Sequence, residues 1–280
     1  MTIGVDLGGT NVRVGLVENG ELLVQKSSVL QQKESLPATL AQLIALIRSL
    51  MDYSVSSIGI GVPSVVDVER GIVYNVANIP SWQEVALRAI LEAEFNLPVL
   101  VNNDVNCFVL GEHRFGLARG YCSVVGMSIG TGLGSGLIMN NQLYTGRNCG
   151  AGEIGLLPYL DKTIESYASA YFFDSIHDTT AYDAHQAAHQ GHPSALNLWS
   201  EFGHHLGQAV KAVLYAYDPE VIVLGGSIAK AYPFFKAAMF AGMADFAYPV
   251  TLKRLTIFQS QNDTIALLGA ASLTRQPVKL

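Results

Sequence analysis

The chain has 280 residues, half of them hydrophobic, with 14% charged side chains and a formal net charge of -6. That is enough apolar material for one large domain or two modest ones, and the acidic balance gives no electrostatic footprint for DNA or RNA. Three widely separated cysteines, Cys107, Cys122 and Cys149, fit neither a disulfide framework nor a Cys-rich zinc site. No leader-like n-region and no membrane-length apolar run is present, so a soluble cytoplasmic protein with no membrane partner is expected.

The chain opens with the apolar segment Ile3–Val5, a Gly8-Gly9-Thr10-Asn11 turn, the strand-like run Val12–Val17, hairpin chemistry at Glu18-Asn19-Gly20-Glu21, and a third strand from Leu22 to Val24. Leu36–Met51 then has helical periodicity. Ser57–Val62 reads as a buried strand stopped by Pro63, Gln83–Phe95 as a helix, and Val99–Val101 as a short strand before Asn102-Asn103-Asp104. An offset of 121 residues lays the opening meander on a second one: Gly9 on Gly130, Thr10 on Thr131, Gly15 on Gly136, Asn19 on Asn140, Leu22 on Leu143. After it come an irregular stretch to about Lys162, helical segments from Ile164 to Tyr217, the buried strand Val221–Leu224, a Gly225-Gly226-Ser227 turn, and a terminal helix, Thr264–Arg275. Strands alternating with helices make this an α/β chain. The repeat predicts two domains of one plan, residues 1–105 and 106–262, with the helix of 263–280 packing back on the first. No linker separates them, so a hinge and an inter-domain active-site cleft are expected.

Two loops have the composition of an anion cradle. Asp6-Leu7-Gly8-Gly9-Thr10-Asn11 sets a carboxylate at a strand end, where it can hold a hydrated Mg²⁺, before glycines whose N–H groups can approach a phosphate. Ser128–Gly136 carries four glycines and three hydroxyls in nine residues, in the duplicated position. Neither is a P-loop, because no Gly-Lys-Ser/Thr follows, and strand rather than helix after the glycines argues against a dinucleotide fingerprint. Paired hairpin loops gripping one polyphosphate form an actin-like arrangement. Asp104, at a strand end between the loops, is either a helix N-cap or the carboxylate that takes a proton from an acceptor hydroxyl.

Taken together these residues resemble the ROK family of bacterial glucokinases, fructokinases, allose and N-acetylhexosamine kinases and related repressors. The resemblance runs through Asp6–Asn11, Ile58–Pro63, Asn78-Ile79-Pro80-Ser81-Trp82, Asn103-Asp104, Gly130–Gly136, Gly150-Ala151-Gly152-Glu153-Ile154-Gly155 and Asp218–Ser227. It implies two actin-like (ribonuclease H-like) domains, ATP and Mg²⁺ as cofactors, and transfer of a phosphoryl group to a hexose-type sugar at its 6-hydroxyl. It further implies Asp104 as the base and Asn78, Asn103, Glu153 and Glu165 as sugar ligands. Gly8, Gly9, Thr10, Asn11, Gly130, Thr131 and Gly132 would serve the phosphates, Gly225 and Gly226 the nucleotide pocket, and a homodimer is expected by the same analogy.

The departures concern the sugar side. The family's Gly-Glu-Ile-Gly-His ends here in Gly155-Leu156, its cysteine cluster is missing, and only nine residues separate Gly155 from Glu165. A structural zinc site needs its ligands as a set, so its loss as a unit predicts no zinc here. His185 and His189 share a helical face, but a polar helix end explains them, and Trp82, Trp199, His204 and His205 read as packing or surface residues. The competing readings are a sugar-responsive repressor, for which residues 1–5 leave no room for a DNA-binding module before Asp6, and a sugar-sensing or scaffold protein without kinase activity.

Overall fold

The computed structural model describes residues 1–273. Its contacts divide the chain into two units: Met1–Gly120 with Leu143–Ala151 and the stretch from Asn262, and Tyr121–Gln142 with Gly152–Gln261.

The first unit is built on a five-stranded sheet. Strands β1 (Thr2–Leu7), β2 (Asn11–Glu18) and β3 (Glu21–Val29) form the expected meander, and β4 (Ser57–Val62) and β5 (Val99–Asn103) add in parallel, giving the order β3-β2-β1-β4-β5. The β2–β3 turn has φ of 52° at Asn19 and 86° at Gly20. Two left-handed residues match a two-residue turn to the strand twist, which is why Asn-Gly stands there. Every position of β4 is buried, as a strand covered on both faces requires.

The helix Ile265–Ser272 lies against β1 and β4 at backbone distance. A Cβ at Gly4 would strike the Leu267 carbonyl oxygen, and one at Gly59 the Ala270 carbonyl oxygen. Gly111, on the helix Asp104–Phe115, meets the Ile265 carbonyl in the same way, and Gly269 meets that of Cys107. This packing holds the helix Asp104–Phe115 in the first unit, so the division falls between Gly120 and Tyr121, whereas the sequence predicts it after residue 105. The predicted helix Thr264–Arg275 is observed over Ile265–Ser272, and the remainder of that expectation, from 274 to 280, lies outside the described residues.

The helix predicted from Gln83 starts only at Leu87. Glu84–Val85 instead pairs with Val73 and Tyr74 in a small sheet with Val65–Asp67. Trp82 anchors this corner: it is buried, and its indole N–H donates to Thr39 Oγ1 at 2.7 Å.

A second five-stranded sheet repeats the plan. Strands β6 (Val124–Ile129), β7 (Leu133–Met139), β8 (Gln142–Tyr144), β9 (Val221–Gly225) and β10 (Thr256–Gln259) run in the order β8-β7-β6-β9-β10, with β6–β7 antiparallel and β9 parallel to both β6 and β10. Its hairpin turns at Asn140 and Asn141 with φ of 52° and 63°. The copies therefore share turn geometry as well as topology. Pairing of Gly4 with Gly15 and of Gly126 with Gly136 sets the offset at 121 residues over the hairpin and 122 over the first strand. The first loop is one residue longer: Leu7–Val12 encloses four residues, Ile129–Leu133 three. Phe172, Phe173, Trp199, Phe202 and Phe235 form a fully buried aromatic core, so Trp199 is a packing residue as expected.

Candidate active site

Register places the functional candidates of the first unit on one edge. Asp6 pairs with Gly61, and Gly61 with Asn102, so the carboxyl ends of three parallel strands come level. That edge is where open α/β sheets take their ligands. Asp6 Oδ2 accepts from Arg13 Nε at 3.0 Å and also from Arg13 Nη2, and Arg13 Nη1 donates to the Asp263 carbonyl at 2.9 Å. Arg13 was not singled out from the sequence, yet it lies opposite Asp6 in the hairpin and that register was the available signal.

The loop between β1 and β2 closes on itself, with Gly8 N–H donating to the Asn11 carbonyl at 2.8 Å. Asn78 sits over it. A Cβ on Gly9 would lie 2.8 Å from Asn78 Nδ2 and 2.9 Å from Cγ, so only glycine lets this side chain rest on the loop. Asn78 and Gly9, predicted for different ligands, are thus neighbours.

Asn103, not Asp104, caps the helix Asp104–Phe115. Its Oδ1 accepts from the N–H groups of Val105 at 2.8 Å and Asn106 at 3.2 Å, and its Nδ2 donates to the Ser64 carbonyl at 3.3 Å. An amide NH₂ has two protons, so the Asn103 side chain retains one donor beyond these structural bonds. Asp104 occupies the first helical position, half-buried, with Oδ1 accepting from Val105 N–H at 2.9 Å. A carboxylate there is favoured by the helix dipole. Gly61 makes room for it: a Cβ would stand 3.2 Å from Asp104 Cα and 3.1 Å from Cys107 Sγ. Burial first, then the Asp104 and Asp6 charges, push the Cys107 thiol up, so it stays protonated and inert below the two carboxylates. Behind the cap, buried Asn102 Oδ1 accepts from Asn103 N–H at 2.8 Å and Asn106 Nδ2 at 3.0 Å and lies 3.2 Å from Cys149 Sγ.

In the second unit, β6 and β7 are joined by Gly130-Thr131-Gly132, with Gly130 N–H donating to the Gly132 carbonyl at 3.0 Å. Gly130 is open: an added Cβ would meet nothing nearer than Ser227 Oγ at 3.9 Å. Gly225 pairs with Ser128, and Gly226, at φ 85°, presses on the Ile129 backbone. The predicted phosphate loop and nucleotide turn are therefore adjacent, with open space over Gly130. Glu165 lies beside Gly132, 2.6 Å from where its Cβ would stand, and accepts from Leu133 N–H at 3.3 Å.

The Gly152-Glu153-Ile154-Gly155 segment is pressed on β7. Gly152, at φ 97°, meets the Ser135 carbonyl, Gly155 meets that of Leu133, and Ser135 Oγ donates to the Gly152 carbonyl. These contacts set Glu153 near Glu165. Burial of its surroundings, and next the Glu165 charge, raise the Glu153 carboxyl although the side chain reaches solvent.

Within the nine residues Leu156–Ile164 lies a short hairpin, Pro158–Tyr159 with Lys162–Thr163, where the sequence suggests only an irregular stretch. It is held by Tyr159 OH against His205 Nδ1 at 3.0 Å, by Tyr167 OH donating to Asp161, and by ring packing of Tyr167 on His205. Among the described residues no group of three or more His, Cys, Asp or Glu is placed to hold a metal ion. His185 and His189 face each other with Nε2 atoms 3.1 Å apart, packed on Phe234. No helix of the described residues is long and apolar enough to cross a membrane.

Comparison with known proteins supplies the remaining observation. The ROK family profile matches residues 2–277. A glucokinase of Thermotoga maritima is 29% identical, with 99% of this chain and 98% of the relative covered. An N-acetyl-D-glucosamine kinase of Yersinia pseudotuberculosis is 30% identical over 81% of this chain and 84% of its own. Among solved structures, a ROK family glucokinase from Streptomyces griseus in complex with glucose and AMPPNP superposes with a TM-score of 0.83 at 24% identity, covering 99% of both chains. The Thermotoga alignment extends over 311 positions, more than the 280 residues of this chain, so that relative carries residues with no counterpart here.

Proposed function

The chain belongs to the ROK family, and from that premise we propose that it is an ATP-dependent sugar kinase that phosphorylates a hexose-type sugar at its 6-hydroxyl. Bound ATP supplies the γ-phosphoryl group, and Mg²⁺ offsets the charge on its phosphates. In this reading Asp104 accepts the proton of the sugar hydroxyl as the new O–P bond forms and the bond to the departing ADP breaks. Asn78, Asn103, Glu153 and Glu165 hold the sugar hydroxyls. Gly130, Thr131 and Gly132, with Gly225 and Gly226, hold the nucleotide and its phosphates, and Gly8, Gly9, Thr10 and Asn11 contribute to the phosphates from the other loop. Asp6 keeps one carboxylate oxygen on Arg13, so its second oxygen is the one available to a hydrated Mg²⁺.

The observation that carries the reading is the edge where Asp6, Gly61 and Asn102 come level, with Asp104 starting a helix beside them and Asn78 resting on Gly9. A base, a sugar ligand and a phosphate loop at one strand edge are what phosphoryl transfer to a hydroxyl requires. The absence of a histidine at Leu156, and relatives with both glucokinase and N-acetylglucosamine kinase names, leave the acceptor to be found by experiment. A coupled ADP-release assay over hexoses, hexosamines and N-acetylhexosamines is expected to give turnover that depends on one of these sugars. Nucleotide hydrolysis indifferent to sugar would contradict the proposal.

A further inference from the structure

Beside Glu165 the second unit carries an open cavity of about 250 Å³ lined by Lys162, Glu165, Ser166, Tyr171 and Ser175. We propose that this cavity is a second saccharide subsite, and that the preferred acceptor is a disaccharide or other glycoside whose non-phosphorylated ring occupies it. The inference rests on the assignment of Glu165 as a sugar ligand. Glu165 is itself a wall of the cavity, so a sugar held by that carboxylate would border it, with a substituent next to the bound hydroxyl directed inward.

The lining decides what kind of substituent. Lys162, Glu165 and three hydroxyls supply donors and acceptors, Tyr171 is 42% exposed and offers a ring face, and no aliphatic side chain is among the five. An apolar group would find only the Tyr171 ring to bury against. A polyanion would meet one cation beside a carboxylate. A polyhydroxylated ring, with an apolar face for the tyrosine and hydroxyls for the rest, matches this chemistry. The volume also falls just below the roughly 300–1,000 Å³ of sites for drug-sized ligands, a scale suited to a single ring.

The walls are built rather than incidental. Ser169 Oγ donates to the Glu165 carbonyl at 2.6 Å and accepts from Tyr171 N–H at 3.2 Å, tying the tyrosine backbone to the glutamate. Ala170 N–H donates to the Gly130 carbonyl at 2.9 Å, fixing the same turn to the phosphate loop. Phe172–Ile176 is a π-helical turn. Such turns are rare and concentrate at functional sites, and here the widened turn carries Ser175 to the cavity already lined by Tyr171. On the other side, Lys162 lines the cavity from the second strand of the short hairpin, Lys162–Thr163.

The test compares glucose, N-acetylglucosamine, cellobiose, maltose and gentiobiose as acceptors, by ADP release with ATP and Mg²⁺, and by calorimetric titration of each sugar without nucleotide. At least one disaccharide is expected to exceed glucose in kcat/KM by roughly tenfold or more, and to bind more tightly in the titration. Tyr171→Ala is expected to lower the ratio of disaccharide to glucose kcat/KM by about tenfold, while Tyr182→Ala, exposed on another helix, leaves that ratio unchanged. Glucose or N-acetylglucosamine turnover with no disaccharide turnover, or a ratio unmoved by Tyr171→Ala, overturns the subsite and leaves the kinase standing. No sugar-dependent ADP release with any of the five overturns both.

Discussion

The two sheets share a strand order, a hairpin turn with left-handed asparagines, and a glycine loop between the first two strands, yet the loops differ in what touches them. Gly8–Asn11 is longer by one residue, carries Asn78 on Gly9, and follows an aspartate already paired with Arg13. Gly130–Gly132 is shorter and open at Gly130, and it is flanked by the Gly225-Gly226 turn and by Glu165. A duplicated scaffold has diverged in its loops. The loop of the first unit is covered by Asn78, whereas that of the second is open at Gly130.

The largest expected effect breaks the chemistry of the first unit alone. Asp104→Asn keeps the size and helical position of the side chain but removes the base, and kcat is expected to fall by about 10²–10⁴-fold with the affinity for an ATP analogue unchanged. Rate and calorimetric binding measured on the same preparation check both halves. Next is Gly226→Ala, which forces a Cβ against the Ile129 backbone at φ 85°. A loss of about 1–3 kcal/mol is expected in chemical denaturation, with Gly130→Ala at the neighbouring loop near wild type.

A smaller pair of effects sharpens the comparison. Gly130→Ala fills the space over an open loop and is expected to raise KM for ATP by roughly tenfold while sparing KM for the sugar. Gly9→Ala must displace Asn78, so its principal effect is expected on the sugar KM. Equal effects of both changes on ATP would contradict the division between the loops. The smallest effect is electrostatic. Because burial and the Glu165 charge raise the Glu153 carboxyl, the folded chain binds this proton more tightly than the unfolded chain between the ordinary glutamate range and the raised value. The stability from this group is complete below the ordinary glutamate range and declines as pH rises through the raised value. Melting temperatures of Glu165→Gln, which loses the neighbouring charge, should fall less steeply across that range than those of the wild type.

Much of this was legible in the sequence because its causes are local. Asn-Gly and Asn-Asn turns, buried Ser57–Val62, and glycines at strand ends each declare themselves within a few residues. The duplicated hairpin was visible because the same turn recurs, although the one-residue difference between the loops appears only in the strand register. Gly4, Gly59 and Gly111 were not interpretable. Their reason is the helix Ile265–Ser272, which approaches from the far end of the chain. The same contact moves the boundary from residue 105 to Gly120. At the site, Asn103-Asp104 could be read as cap or base, and the hydrogen bonds place the cap on Asn103. The cavity beside Glu165 had no signal, because Lys162, Tyr171 and Ser175 meet only through a short hairpin and a π-helical turn that periodicity does not foretell.

The most direct test of the account is phosphorus NMR of the reaction products formed from ATP, Mg²⁺ and the acceptor chosen by the sugar panel. The account predicts a sugar 6-phosphate ester appearing in step with ADP for the wild type and absent for Asp104→Asn. ADP accompanied only by inorganic phosphate, or an undiminished ester signal from Asp104→Asn, would contradict it.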